Sequence, residues 1–156
     1  MGTLNAPRIS TPRRIVRRNP SVVSKYMAAI RSVNTEPERR LSTLLAQTGL
    51  RFRRNYAIVP GTPDIAFPRE NVAVFVDGCF WHACSHCYVA PSVNATYWRA
   101  KAQRNRQRDR RTERQLRKLG WSVVRIRECA LERNADACVR RIKLVLSGCT
   151  RGRGVG

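Results

Sequence analysis

The stretch RFRRNYAIVPGTPDIAFPRENVAVFVD, residues 51–77, decides the fold. It divides into RFRRNYAIV (51–59), PDIAF (63–67) and VAVFV (72–76), separated by Pro60–Gly61 and by the turn residues from Pro68 to Asn71. Links this short leave no room for parallel crossovers, so the three runs are expected as successive antiparallel strands. VAVFV is apolar throughout and reads as a buried strand.

Upstream, TEPERRLSTLLAQTG predicts a helix from Thr35, with Thr35 as N-cap and Glu38 at N3 of a capping box. Pro37 is tolerated in the first turn, Leu41, Leu44 and Leu45 form an apolar stripe, and Gly49 ends the helix. Downstream, residues 95–118 predict a long helix that opens ATYWRAK and closes at Gly120. The strand WSVVRIR (121–127) follows, then a helix near 135–147 with Val139, Ile142, Leu144 and Val145. The order α-β-β-β-α-β-α excludes an all-parallel doubly wound fold and predicts an α/β domain, a mixed sheet flanked by helices.

The chain has 156 residues, enough for one domain with a modest core that would gain from a staple. Its net charge of +21 attracts polyanions and opposes compaction, which makes nucleic acid the first partner to consider. Residues 1–22, rich in Arg, Pro and Ser without apolar periodicity, are expected to form a disordered basic arm. The folded domain is expected over 23–148, followed by a flexible tail, 149–156. Without the eight basic residues of 1–25 and 150–156, the remainder still has 23 basic against 10 acidic side chains. Neither a signal peptide's apolar region nor a membrane-length apolar run is present, so the chain reads as soluble and intracellular.

Residues 77–88, DGCFWHACSHCY, place Cys79, His82, Cys84, His86 and Cys87 on one loop, with Cys129 arriving from a later strand. In a reducing compartment such clustering points to a metal rather than to disulfides, and Zn²⁺ accepts thiolates and imidazoles in this kind of spacing. The preferred ligands are Cys79, Cys84, His86 and Cys129, with Cys87 an open substitute for His86. Core packing is expected of Cys138, and a tail thiol of Cys149.

A second constellation joins Asp64, at the head of a strand, to the strand end Val76–Asp77 and to His82. An isolated Pro-Asp is ordinarily a turn carboxylate. Beside an imidazole, which exchanges protons near neutral pH, it suits phosphodiester hydrolysis with Mg²⁺ on the carboxylate and histidine as general base. Glu38, already explained by capping, is a secondary candidate. Phe80 and Trp81 are adjacent large apolar residues on a loop, and with Trp98 they suit insertion into a base stack; Trp121, heading a strand, suits the core. Residues 99–118 carry ten Lys/Arg against Asp109 and Glu113, more than helical ion pairing can neutralise, so phosphate contact is expected there.

Four stretches, SKYMAAIRSVNTEPERRL, PGTPD, VFVDGCFWHACSHCY, and the pair YWRAKAQRNRQRDRR with LGWSVVRIRECAL, resemble the very-short-patch repair (Vsr) endonucleases from about Ser24 to Leu146. The resemblance implies a restriction-endonuclease-like fold with a structural zinc. It implies a strand-specific, Mg²⁺-dependent nick on the 5′ side of the thymine in a T:G mismatch, the product of 5-methylcytosine deamination. By the same resemblance Asp64 and the backbone carbonyl of Val76 hold Mg²⁺, His82 is the base or orients the water, and Glu38 supports them. Asp77 stands at a catalytic position where some relatives carry histidine. The zinc ligands carry over as Cys79, Cys84, His86 and Cys129. Phe80, Trp81 and Trp98 become intercalating residues, with Met27 and the basic arm approaching from the other groove. The implied partners are double-stranded DNA with a T:G mismatch, a cytosine-5 methyltransferase and mismatch-repair proteins; a monomer in the bacterial cytoplasm, associated with the nucleoid, is the expected form. Two other classes fit the residues: a non-catalytic zinc-stabilised module that binds distorted DNA, and a nuclease of broader specificity accompanying a restriction-modification system.

Overall fold

The computed structural model describes residues 33–89 and 93–151. Four strands, β1 (Arg53–Arg54), β2 (Ile65–Phe67), β3 (Val72–Asp77) and β4 (Ser122–Arg127), form one sheet in the order β1-β2-β3-β4. The first two pairings are antiparallel and β3–β4 is parallel, which is the mixed sheet expected from the short early links. The helices are α1 (Glu36–Gln47), α2 (Ala95–Lys118), α3 (Glu128–Arg133) and α4 (Ala135–Arg151). α2 is the crossover that lets β3 and β4 run parallel.

Strand alternation gives the sheet two unlike faces. Ile65, Phe67, Val72, Val74, Val124 and Ile126 point to one side, where Leu41 and Leu45 of α1, Leu131 of α3 and Ile142 of α4 complete the main core. Each fully buried aliphatic side chain there contributes about 1.5–3 kcal/mol. Ala73 and Phe75 point to the other side and meet Leu116 of α2, with Val59, Trp121 and Val123 packed around them. This second core is small. It leaves the C-terminal ends of β3 and β4 to polar residues facing α2.

Three local features differ from the sequence expectation. The run 51–59 supplies only Arg53–Arg54 as regular strand, because Asn55 adopts a left-handed φ of 47°. The chain beyond still bonds to its neighbour through Asn55 N–H to Asp64 O (3.0 Å) and Tyr56 N–H to Pro63 O (2.9 Å). At the start of α1 the Thr35 hydroxyl donates to Glu38 Oε1 (2.8 Å) instead of capping an amide, and Glu38 Oε2 accepts the Asn34 N–H (2.6 Å). A short helix, α3, also precedes α4, and Asn134 separates the two by capping the Ala137 N–H (2.9 Å).

Gly61 shows how tightly the turn before β2 packs on α2. Its φ is +82°, and a Cβ there would collide with the Thr112 methyl carbon. Among the described residues no helix is long and apolar enough to cross a membrane.

Candidate active site and metal centre

Asp64 sits one residue before β2. Its Oδ2 accepts the Val76 N–H at 2.7 Å, a bond across the β2–β3 pair that aims the carboxylate at the C-terminal end of β3. Burial pushes Asp64 up to about 6; the Val76 N–H opposes the shift, while Glu38 and Asp77 add to it. A half-buried carboxylate held among other carboxylates favours a divalent cation, and Glu38, itself buried, belongs to the same field. Val76 meets Asp64 through its N–H.

Beside it, four elements converge. His82 Nδ1 lies 2.9 Å from Asp109 Oδ2 of α2, and His82 Nε2 lies 3.8 Å from Asp77 Oδ1. With Nδ1–H donated to Asp109, Nε2 carries the lone pair that accepts a proton. Arg125 of β4 holds Asp77 with two bonds, Nε to Oδ2 (2.8 Å) and Nη2 to Oδ1 (2.6 Å), and its Nη2 lies 3.0 Å from Asp109 Oδ2. Burial pushes Asp109 up, but the bond from His82 and the Arg125 charge outweigh it and hold this carboxyl below its ordinary range. The guanidinium also stacks over the Phe75 ring, 5.2 Å from its centroid.

Asp77, His82 and Asp109 bring three ligand atoms within 4.8 Å of one another and could hold an ion. Arg125 already supplies a cation to both carboxylates, so an ion there would displace its guanidinium. Asp64 has no such cation bonded to it among the described residues and could take a metal without displacing one.

The sulfur atoms of Cys79, Cys84, Cys87 and Cys129 also lie within 4.8 Å of one another, with Cys84 and Cys129 at 3.7 Å. Four thiolates around zinc at about 2.3 Å each are separated by about 3.8 Å, so the set suits a tetrahedral metal. Within the group the Cys84 thiol is drawn down, chiefly by the backbone N–H of His86, while burial pushes the Cys79 thiol up. Cys87, the open substitute for His86, stands in this group of thiols, and His86 does not. The His86 ring turns outward instead, its Nδ1 3.1 Å from Ser85 Oγ and 3.2 Å from Arg127 Nη1.

Phe80, Trp81 and Trp98 come together as a single aromatic patch: Phe80 lies 5.3 Å from Trp81 and 5.2 Å from Trp98 between ring centroids, and Trp81–Trp98 is 6.2 Å. Phe80 is exposed, and Lys101 Nζ stands 5.1 Å from the Trp81 ring. Asn105 of α2 pins the loop by donating to Trp81 O at 3.1 Å. Met27 and the arm 1–22 lie outside the described residues.

A family model described as DNA mismatch endonuclease Vsr matches residues 17–89. The type II nicking enzyme V.XorIIP of Xanthomonas oryzae pv. oryzae is 40% identical over 122 residues, covering 77% of this chain and 88% of that protein. The DNA mismatch endonuclease Vsr of Escherichia coli is 42% identical over 110 residues, 69% of this chain and 70% of its own. The chain belongs to the Vsr family. A further relative, the type II nicking enzyme V.NaeI of Lentzea aerocolonigenes, is 39% identical over 121 residues, 74% and 73% of the two chains.

Within this Vsr family member, sequence reasoning missed two residues of the site. Asp109 was legible only as one of two acids on a helix with ten basic residues, and that scarcity was the available signal. Arg125 stands inside an apolar strand, WSVVRIR, where a charge pointing toward packed neighbours demands a partner. Cys138 is buried in the main core as expected, whereas Cys149 is partly buried against it, 3.5 Å from Ser122 Oγ, and is not a free tail thiol.

Proposed function

We propose that this protein is a strand-specific mismatch endonuclease that nicks DNA on the 5′ side of the thymine in a T:G pair. The observation that carries the reading is the convergence, at one end of the sheet, of the Asp64 carboxylate with the His82–Asp109 pair, beside an exposed aromatic patch. Asp64, with the Val76 carbonyl, would hold Mg²⁺, and Glu38 supports it from α1. Bound Mg²⁺ would supply charge stabilisation to the scissile phosphate and lower the pKa of a water. His82 takes a proton at Nε2 while Asp109 fixes its ring through Nδ1. Asp77, held by Arg125 and 3.8 Å from His82 Nε2, helps to position the ring. Phe80, Trp81 and Trp98 enter the base stack, where a mismatch lowers the unstacking cost of a few kcal/mol. Met27 and the arm would approach from the opposite groove.

The four cysteines would hold a structural Zn²⁺ that ties the loop after β3 to the start of α3. The mixed sheet, with a carboxylate at the head of β2 and the site at the end of β3, supports a restriction-endonuclease-like fold. A monomer is proposed because one mismatch lacks two-fold symmetry and a nick needs one site. T:G mismatches from 5-methylcytosine deamination link the protein to a cytosine-5 methyltransferase and to mismatch repair in the cytoplasm, on the nucleoid. Relatives named type II nicking enzymes favour a second reading, a nicking enzyme of wider specificity accompanying a restriction-modification system.

Matched, T:G and other mismatched duplexes incubated with Mg²⁺, without it, and with Asp64→Ala test this reading. Mg²⁺-dependent nicking confined to T:G and lost in the variant supports it. Comparable cleavage of paired DNA establishes the second reading, and tight binding without any nick refutes both.

A further inference from the structure

β4 is an edge of the sheet: among the described residues no strand pairs beyond it. Along that edge, between α2 and the α3–α4 pair, lies a cavity of about 710 Å³. Its walls carry Arg106 and Arg110 from α2, Arg125 and Arg127 from β4, Arg133 from α3 and Arg141 from α4, and no lysine. The acids that share it are already matched: Asp77 and Asp109 by Arg125, and Glu113 by Arg117 at 2.6 Å. Arg106, Arg110, Arg127, Arg133 and Arg141 therefore have no carboxylate within ion-pair distance among the described residues.

Two of the five are held in place by partners other than carboxylates, and Arg127 Nη1 also lies 4.0 Å from Cys84 Sγ. Arg141 Nη1 donates to Arg125 O at 3.0 Å, and Arg127 Nη1 donates to Ser85 Oγ at 3.4 Å. Small side chains, Ala130, Ala137 and Cys138, form part of the lining between the longer ones. Unpaired like charges gathered in a concavity repel one another and focus a positive field, an arrangement that a bound polyanion relieves. Guanidinium forks match phosphate oxygens two at a time, which an ammonium does not. The volume far exceeds a single phosphate, and His82 and Asp109 stand on the same wall.

We propose that this cavity is a groove for the sugar–phosphate backbone, seating consecutive phosphates of the nicked strand on the β4 side of His82. The proposal deepens the nuclease reading and rests on it for the identity of the strand.

Mg²⁺-free binding of a T:G duplex by the full chain, measured across a salt series, tests it. Every phosphate left without its arginine lowers the slope of log affinity against log salt by about 0.9, so Arg133→Gln/Arg141→Gln should reduce it by about 1.8. Arg110→Gln/Arg133→Gln, which keeps the bond from Arg141 to β4, should reduce it by a similar amount. Arg140→Gln/Lys143→Gln, on α4 outside the cavity, should leave the slope unchanged. Phosphate ethylation interference should disappear in the cavity variants at phosphates on one side of the mismatch in the nicked strand. An unchanged slope in both cavity variants, or an equal reduction in the control, overturns the groove. Because binding is read without catalysis, absence of nicking would refute the nuclease reading separately.

Discussion

The two residue clusters flanking the loop at 77–88 are built on opposite principles. The thiol cluster uses one residue type, with three of its four members within nine residues, and a single long-range member, Cys129, closes it. The His82 cluster draws single residues from the end of β3, the following loop, α2 and β4, and mixes two acids, an arginine and an imidazole. The first is a local staple that a bound ion would close. The second is a network in which Arg125 holds two carboxylates close together, so that one of them can orient an imidazole without leaving an uncompensated charge. The staple depends on one distant member, Cys129, whereas each member of the network has its own separate partner.

The largest effect should come from the staple. Structural zinc in small domains supplies about 10–16 kcal/mol of binding energy that is also folding energy, so Cys129→Ala should cost the loop its fold, seen as lost zinc content and a collapsed thermal transition. The same assay sharpens the ligand assignment: Cys87→Ala should lower bound zinc, and His86→Ala should leave it at one per chain. The reverse result would return His86 to the cluster.

Asp64→Asn should lower nicking by roughly 10³-fold or more, since metal-derived stabilisation of the transition state is worth several kcal/mol. The same variant should stabilise the metal-free protein. Asp64 is raised from 3.8 to about 6, so the folded state binds this proton more tightly than the unfolded chain. That contribution is complete below pH 3.8 and is lost as pH rises through about 6, which leaves the ionised carboxylate costing roughly 2–3 kcal/mol at neutrality. A higher Tm with lost activity is the expected pair of outcomes, and a lower Tm would contradict the buried charge.

Within the network, His82→Ala should reduce the single-turnover rate by roughly 10²–10⁴-fold as a lost general base. Asp109→Asn should be milder, by about 10–100-fold, if orienting an imidazole resembles the support of a metal-bound histidine. Equal and slight losses in both variants would place the base elsewhere. The smallest effect is a pH dependence: proton competition at Asp64, held up to about 6, should weaken apparent Mg²⁺ affinity by about tenfold between pH 7 and pH 5. A flat Mg²⁺ titration over that range would remove Asp64 from the metal.

Short-range periodicity and composition were legible along the chain. The apolar run of β3, the leucine spacing of α1, the short links that force antiparallel pairing and the clustered cysteines all act over a few residues, and the structure repeats them. Long-range choices were not legible. Asp77 and Arg125 are separated by 48 positions and meet because the parallel register aligns Phe75 with Arg125, placing both charged side chains on the face toward α2. Asp109 reaches His82 because α2 crosses back over that face, and Cys87 displaces His86 because the loop must turn one of two neighbouring side chains inward to meet Cys129. Backbone propensity is set by neighbours along the chain, whereas the partner of a buried charge or thiol is set by register and packing between distant elements, and only the tertiary structure decides those.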